Sequence, residues 1–331
     1  MPNSDTTVST SISTEGSQQM ADVLDSKHIQ LPRSIADDIV TKTRDSSVIQ
    51  TLSAARPVIF QDTTNVLFNK EPEAEFVDEG QAHKSMDVEF KAVQGVVRKA
   101  HVTVRFNKEV KWADEDNKLK IIDSITDSAA AALGRALDYA VIHAVNPAAG
   151  VALTGVAALT AGANEVKSTG DATADLDALV AAVPDYDVSG IALSKAYAGS
   201  LRSVRAKGTG ARLFPEIPLN LKAGQLDGIA AATSSTVNGA RCTTPTNVLA
   251  LLGDFNLIRW GMIRDIYMDV ITAGDPDNRG YDLAYKDEIA YRVGVVYSFA
   301  CLDPRALLFL RLNNGRGKSF CIRRRCAGCL P

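Results

Sequence analysis

From Asp87 to Phe106 the chain alternates polar and apolar residues over about twenty positions. Val88, Phe90, Ala92, Val96, Ala100, Val102, Val104 and Phe106 make an apolar row on the even positions, interrupted by Gln94 and Arg98. Asp87, Glu89, Lys91, Lys99, Thr103 and Arg105 keep the odd positions mostly polar. Period two is the mark of a strand with one buried face. A typical strand, however, is only ~5–6 residues long, and an isolated two-stranded hairpin is marginal in water. A ribbon of this length therefore needs a surface to pack on. An acidic stretch, EFVDEGQ (75–81), leads into it. Residues 70–91 carry seven acids (Glu71, Glu73, Glu75, Asp78, Glu79, Asp87 and Glu89) against Lys70, Lys84 and Lys91.

At 331 residues the chain is long enough for one large domain or two ordinary ones. Its formal charge of −3 gives no general affinity for nucleic acid or anionic membrane. The charge is unevenly spread. Residues 311–331 hold six bases and no acid, which leaves 30 of the 36 bases to face 39 acids over residues 1–310, a charge of −9. No run of ~20 apolar residues exists to span a membrane. The first seventeen residues include nine Ser or Thr and have neither the basic start nor the apolar segment of a secretory signal. Such an arm cannot bury enough apolar surface to order itself. Five cysteines do not make a disulfide framework, and Cys242 and Cys301, in apolar surroundings, read as core thiols of a protein folded in a reducing cytoplasm.

Helical spacing runs through LPRSIADDIVTKTRDSSVIQTLSA (31–54), with a break near Ser46. The strongest helix signal follows the ribbon. Asp114, Glu115 and Asp116 place acid where a helix start favours it, and Ile122, Ile125, Ala129, Leu133, Leu137 and Val141 recur at steps of three and four. The pattern predicts one helix from about 115 to 145, ended by Asn146-Pro147 and ~45 Å long. Beyond it, a helix over 172–183, a buried strand over 189–194, and a helix capped by Ser194 are expected. An irregular exposed loop (207–225), a buried strand (247–255), an alternating strand (288–301) and a final strand after Asp303-Pro304 complete the chain. The class is α+β, without internal repeats.

The search for catalytic chemistry is nearly empty. His28, His83, His101 and His143 are scattered and fit no metal-ligand spacing, no nucleophile elbow occurs, and Gly208 and Gly210 do not complete a phosphate-cradling loop. No cofactor is implied. GDPDNRGYDLAYK (274–286) imitates a calcium loop through Asp275, Asp277 and Gly280, but Arg279 and Lys286 stand where oxygen ligands belong. Cys321, Cys326 and Cys329 offer three thiolates without a fourth ligand, which leaves a metal, an inter-chain disulfide or a plain tail open.

In order along the chain, several stretches together resemble the major capsid proteins of tailed bacteriophages, the Hong Kong-phage-type fold also used by encapsulins. LPRSIADDIVTKTRDSSVIQTLSA resembles the lead into the body, and VEFKAVQGVVRKAHVTVRFNKEV (88–110) the returning strand of the extended E-loop. GRALDYAVIHA (134–144), with its acid near the end, resembles the close of the long spine helix. IALSKAYAGSLRSVRA, QLDGIAAATSS and LLGDFNLIRWGMIRD match elements of the axial domain, and VGVVYSFACLDPRALLFLRL the closing strands. The resemblance spans roughly 31–312. It implies an N-terminal arm (1–30), a first peripheral part (31–60), the E-loop (61–100), and a peripheral strand with spine helix (101–147). An axial domain (148–265), peripheral return strands (266–302), a closing axial strand (303–312) and a basic Cys-containing tail (313–331) follow.

What the resemblance implies functionally is a shell subunit, not an enzyme: hexamers and pentamers tiling an icosahedral head in the virion around double-stranded DNA, assembled in the bacterial cytoplasm. It also implies a portal, possible decoration proteins and, since only some 30 residues precede the body, either a separate scaffolding protein or assembly without one. An encapsulin-like compartment is the alternative within the fold, and a soluble hydrolase or transferase using acids such as Asp254 and Asp282 the alternative outside it. Two charge expectations follow. Glu75, Asp78, Glu79, Lys84, Asp87 and Glu89 of the acidic loop contact a neighbour at Lys111, Lys118 and Lys120, although a solvated loop accounts for the same acids. Arg316, Lys318, Arg323, Arg324 and Arg325 face packaged DNA phosphates, or lie on the protein's own acidic surface.

Overall fold

The computed structural model describes residues 47–56, 64–68, 74, 76, 90–117, 121–183 and 186–313. Helix α1 (Val48–Leu52) is capped by Ser47, whose hydroxyl accepts the Gln50 N–H. Strand β1 (Thr64–Phe68) pairs antiparallel with β2 (Phe90–Gln94) in a two-stranded ribbon, Thr64 opposite Gln94 and Phe68 opposite Phe90. At Gly95 the chain leaves the ribbon, and β3 (Val96–Asn107) enters a separate three-stranded sheet. The long alternation of the sequence therefore serves two sheets in succession, which is how it exceeds the length of an ordinary strand.

Helix α2 (Lys108–Asn117) follows β3 directly. Helix α3 (Ile121–Asp138) continues into a π-helical segment, Tyr139–His143, closed by Ala144 in the left-handed conformation. This differs from the single helix predicted from 115. The acids sit at the end of α2, and Asp114 turns to accept the N–H groups of Ile121 (2.8 Å) and Ile122 (3.4 Å), so one of them caps the second helix from across the break. The 18 residues of α3 and five of the π segment span ~34 Å at ~1.5 Å per residue.

The remainder alternates short elements: α4 (Leu159–Gly162), β4 (Asn164–Lys167), α5 (Ala172–Ala181), β5 (Gly190–Leu193), α6 (Lys195–Ser203), β6 (Gln225–Leu226), β7 (Ile229–Thr233) and β8 (Val248–Gly253). Asp171 caps α5 by accepting the Thr173 N–H, and Ser194 caps α6 by accepting that of Tyr197. Asp227 and Gly228, both at positive φ, turn β6 into β7, as a two-residue hairpin of this kind requires. Strands β9 (Ile258–Ile271), β10 (Glu288–Cys301) and β11 (Leu307–Arg311) follow.

The larger sheet has the order β4-β11-β8-β5-β7-β6, with β4/β11 and β5/β7 parallel and the other pairs antiparallel. Both its faces are covered. One meets α5 and α6 through Leu176, Leu179, Ile191, Leu201, Leu252 and Leu308. The other meets α1 and the α3–π helix through Ile49, Leu133, Ile142, Ala192, Leu251 and Phe309. That is why all four residues of β5 are buried and its sequence, GIAL, shows no alternation. The loop at 207–225 is irregular as expected but not wholly exposed, because Phe214 and Ile217 plug the α5/α6 face. At Gly253, φ is 147° and a β-carbon would stand 2.2 Å from the Ala306 carbonyl oxygen, so the GDF turn demands glycine.

The smaller sheet, β3-β10-β9, is antiparallel throughout. The odd positions of β10 (Val293, Val295, Tyr297 and Phe299) pack beneath α3, as the alternation predicts. Its other face is also buried along most of β10. At Gly294 the Tyr267 ring lies where a β-carbon would be, 2.6 Å away. Phe106, Val110, Ile121, Ile289 and Tyr291 close the far end around α2, with Phe106 and Tyr291 stacked at 5.2 Å.

Candidate assembly site

Three features of the described residues bear on how a subunit meets its surroundings: a buried anchor, a charged clasp, and surface left uncovered. The anchor is Asp138 at the end of α3, fully buried. Its carboxylate accepts from the Ser47 hydroxyl (2.5 Å), the Val48 N–H (3.0 Å), the Ile49 N–H (3.1 Å) and the Thr236 hydroxyl (2.7 Å). Burial pushes its pKa up, and the four donated bonds oppose that push without cancelling it. One side chain thereby fixes α1, the helix and the loop after β7 to one another. Nearby, His143 is buried with Nε2 2.9 Å from the Thr236 carbonyl oxygen and Nδ1 3.2 Å from the Thr246 hydroxyl. Burial holds its pKa below the ordinary value, so it stays neutral as a structural group.

The clasp gathers the loop between β9 and β10 onto β3. Arg105, buried, places Nη2 2.9 Å from Asp275 and 2.6 Å from Asp277, and Nη1 3.3 Å from Glu288. Asp275 also accepts the N–H groups of Arg279 (2.9 Å) and Gly280 (2.7 Å), and the Tyr281 ring lies 4.8 Å from the guanidinium. The acids that imitate a calcium loop thus close around an arginine. Asp254 and Asp282, the loose acids of the hydrolase alternative, cap short 3₁₀ turns through the N–H groups of Asn256 and Ala284. No group of three metal-ligating residues occurs among the described residues, and none of their helices is long and apolar enough to cross a membrane.

Part of the uncovered apolar surface lies on the three-stranded sheet. Strand β9 is an edge of its sheet, and its outer half exposes Ile266, Met268 and Val270 at 47%, 45% and 49%. These share one face of the strand and flank α3, where the Thr126 hydroxyl meets the Met268 sulfur at 3.6 Å. Trp112 on α2 is more than half exposed, and Phe76 is wholly so. Between α3 and β3 runs a groove of about 490 Å³. Ala132, Ala136 and Leu153 contribute to its apolar floor, and Arg98, Lys99, Arg135 and Arg241 stand around it. Arg98 donates to the carbonyl oxygens of Thr154 and Val97, which holds its guanidinium at the rim.

Of the site residues expected from the sequence, Lys111 lies on α2 and pairs with Glu115 at 3.5 Å. Glu75, Asp78, Glu79, Lys84, Asp87 and Glu89, the partners Lys118 and Lys120, and the tail residues Arg316, Lys318, Cys321, Arg323, Arg324, Arg325, Cys326 and Cys329 lie outside the described residues. Cys242 is buried and Cys301 half-buried, both as free thiols, and burial pushes Cys301 up to about 12.

A family model described as the phage capsid family matches residues 29–312. The chain belongs to the phage capsid family. A structure from Mycobacterium phage Ogopogo is 34% identical to this capsid protein, with a TM-score of 0.75, covering 88% of this chain and all of its own. One from Gordonia phage Cozz is 29% identical at 0.69, covering 86% and 92%. A third, described as the capsid of an empty GTA particle, shares the fold at 14% identity and a TM-score of 0.57, covering 85% and 95%. No curated protein matches. The mixed α+β capsid fold expected from the sequence is therefore present, and the protein is a major capsid protein, a structural component of the phage head shell. Membership in this family disfavours the encapsulin compartment.

Sequence reasoning singled out the ribbon but missed both the Asp138 anchor and the groove. The acid near the end of the helix was visible as a motif, while its donors lie some 90 to 100 residues away on either side. The four groove cations come from three distant stretches and form no run.

Proposed function

We propose that this capsid protein assembles as hexamers and pentamers into an icosahedral head that encloses the double-stranded DNA of a tailed phage. The observation that carries the reading is the unfinished edge of the smaller sheet: apolar Ile266, Met268 and Val270 are half-exposed on an edge strand. Such an edge is a liability in a monomer and an asset in a shell, where another copy covers it. Closed symmetry repeats each modest contact many times, so weak pairwise interfaces sum to a stable container.

In this reading the ribbon and acidic loop reach a neighbouring subunit, where Glu75, Asp78, Glu79, Lys84, Asp87 and Glu89 meet a basic surface. The strip of Lys111, Lys118 and Lys120 is one candidate. Arg316, Lys318 and Arg323–Arg325 line the interior and neutralise DNA phosphates without reading sequence, which makes the contact salt-dependent. The basic, acid-free composition of residues 311–331 supports this role. A separate scaffolding protein, a portal and decoration proteins complete assembly in the host cytoplasm. Electron cryomicroscopy of particles from cells expressing the full chain tests the whole reading. Closed icosahedral shells are expected, with the smaller sheets of adjacent subunits in contact. A monodisperse monomer under all assembly conditions would overturn it.

A further inference from the structure

We propose that the hairpin at 204–213, which follows α6, is a phosphate-binding clamp: Arg205 and Arg212 close from facing strands on one phosphate group of a polyphosphate or a nucleic-acid backbone. Residues 188–215 carry five bases (Lys195, Arg202, Arg205, Lys207 and Arg212) and no acid, in a body that carries −9 over residues 1–310. The chain doubles back through this basic stretch. Arg205 and Arg212 form an antiparallel bridge. It is framed by the Ala206 N–H on the Ala211 carbonyl oxygen (2.9 Å) and the Leu213 N–H on the Val204 carbonyl oxygen (3.2 Å). That pattern makes them a non-hydrogen-bonded pair, the kind whose Cα atoms stand only ~4.5 Å apart with both side chains on one face. Like charges directly opposite one another destabilise a strand pair. Both arginines are exposed, and neither meets a carboxylate among the described residues.

The rest of the hairpin holds that pair in place and leaves it open. Val204, on the opposite face by alternation, packs half-buried on the α5/α6 core, and Phe214 is buried just beyond the returning strand. At the tip the Gly210 N–H donates to the Ala206 carbonyl oxygen (3.1 Å), and the Ala211 N–H to the Thr209 hydroxyl (3.4 Å). No atom lies within 4 Å of where a β-carbon would stand on Gly208 or Gly210, so the subunit does not overhang the tip. Lys207 already has Asp171 of the α5 cap near it, which leaves the arginine pair as the clamp. The donors here are side chains, not the backbone N–H groups of a phosphate-cradling loop. Guanidinium forks match phosphate oxygens in bidentate fashion. One fork fills the two oxygens of a carboxylate, whereas a phosphate group has oxygens for both. The pair is complete within one subunit, so the inference does not rest on the shell reading.

Titration of the full-length, unassembled protein tests the clamp, with tripolyphosphate followed by calorimetry and a short labelled DNA duplex by fluorescence anisotropy. Arg205→Gln or Arg212→Gln is expected to weaken tripolyphosphate binding about tenfold. Arg205→Lys combined with Arg212→Lys keeps both charges but loses the forks, and is expected to weaken it nearly as much. Full binding by that lysine variant would reduce the site to a patch of charge and overturn the clamp. So would equal binding by every variant, or no binding of either probe by the unaltered protein. Tighter binding of a tetraglutamate peptide than of tripolyphosphate would overturn the choice of phosphate. The duplex separates the two sources. If the phosphate belongs to nucleic acid, the double glutamine variant lowers the slope of log affinity against log salt by about two. An unchanged slope together with lost tripolyphosphate binding assigns the clamp to a free polyphosphate. The basic tail contributes the same background throughout, because every variant retains it.

Discussion

The two sheets of this subunit solve the burial problem in opposite ways. The six-stranded sheet is finished within the chain: helices α5 and α6 cover one face, α1 and the α3–π helix the other, and β5, β8 and β11 are buried almost throughout. The three-stranded sheet is finished only along its middle strand. Strand β9 begins buried at Ile258 and ends with Arg264–Val270 mostly exposed, and β1–β2 forms a separate two-stranded sheet. The difference teaches where one molecule stops being sufficient. Both sheets contribute to the core, the second through β10, but only the second leaves an apolar edge strand half-exposed.

That division predicts a graded series of effects. Phe309→Ala, at a fully buried position of the larger sheet, is expected to cost about 3–5 kcal/mol in urea unfolding of unassembled subunits. A loss under about 1 kcal/mol would mean that this sheet is not part of the stabilising core. Asp138→Ala, which strands two hydroxyls and two N–H groups, is expected to cost about 3 kcal/mol, with Asp138→Asn intermediate. Equal loss in both variants would remove the carboxylate's role as an acceptor.

The third prediction concerns Asp303, at the turn joining the two sheets. Burial alone would raise its pKa, but the Arg305 side chain, the Tyr186 hydroxyl and the Arg305 N–H bring it down to about 2. A depressed carboxylate stabilises above its unfolded pKa, and that stability is lost as pH falls through the folded value. Acid titration should therefore reveal a loss between about pH 4 and pH 2, on the order of 1–2 kcal/mol after allowance for the exposure of Arg305. Asp303→Asn should flatten that segment of the curve; an unchanged slope would assign the acid sensitivity elsewhere. The smallest effect on the subunit belongs to the open edge. Ile266→Ser with Val270→Ser should shift subunit unfolding by no more than about 0.5 kcal/mol while sharply reducing particle yield by sedimentation. If subunit stability falls as far as with Phe309→Ala, the contrast between the sheets collapses.

The sequence made much of this fold legible, for local reasons. Alternation in β10 and the cap at Ser194 act within a few residues, so their patterns survive in one dimension. The misplaced helix start shows where local reading ends: acids at 114–116 do serve a helix N-terminus, but through a carboxylate that reaches from the end of one helix to the start of the next. The break at Gly95 is invisible to alternation because β2 and β3 keep the same period on either side of it. The candidate site was legible only in part. The acidic loop stands out as a charge run, whereas the groove is built from residues 98, 99, 135 and 241, which only the packing of α3 on β3 brings together.

The Asp138 anchor also sets an order of events during synthesis. Ser47, Val48 and Ile49 leave the ribosome some 90 residues before the carboxylate that holds them, and roughly 190 before Thr236 completes its coordination. At ~5–20 residues per second, that is a wait of roughly 10–40 s. Helix α1 therefore cannot take its final place until most of the body has been made.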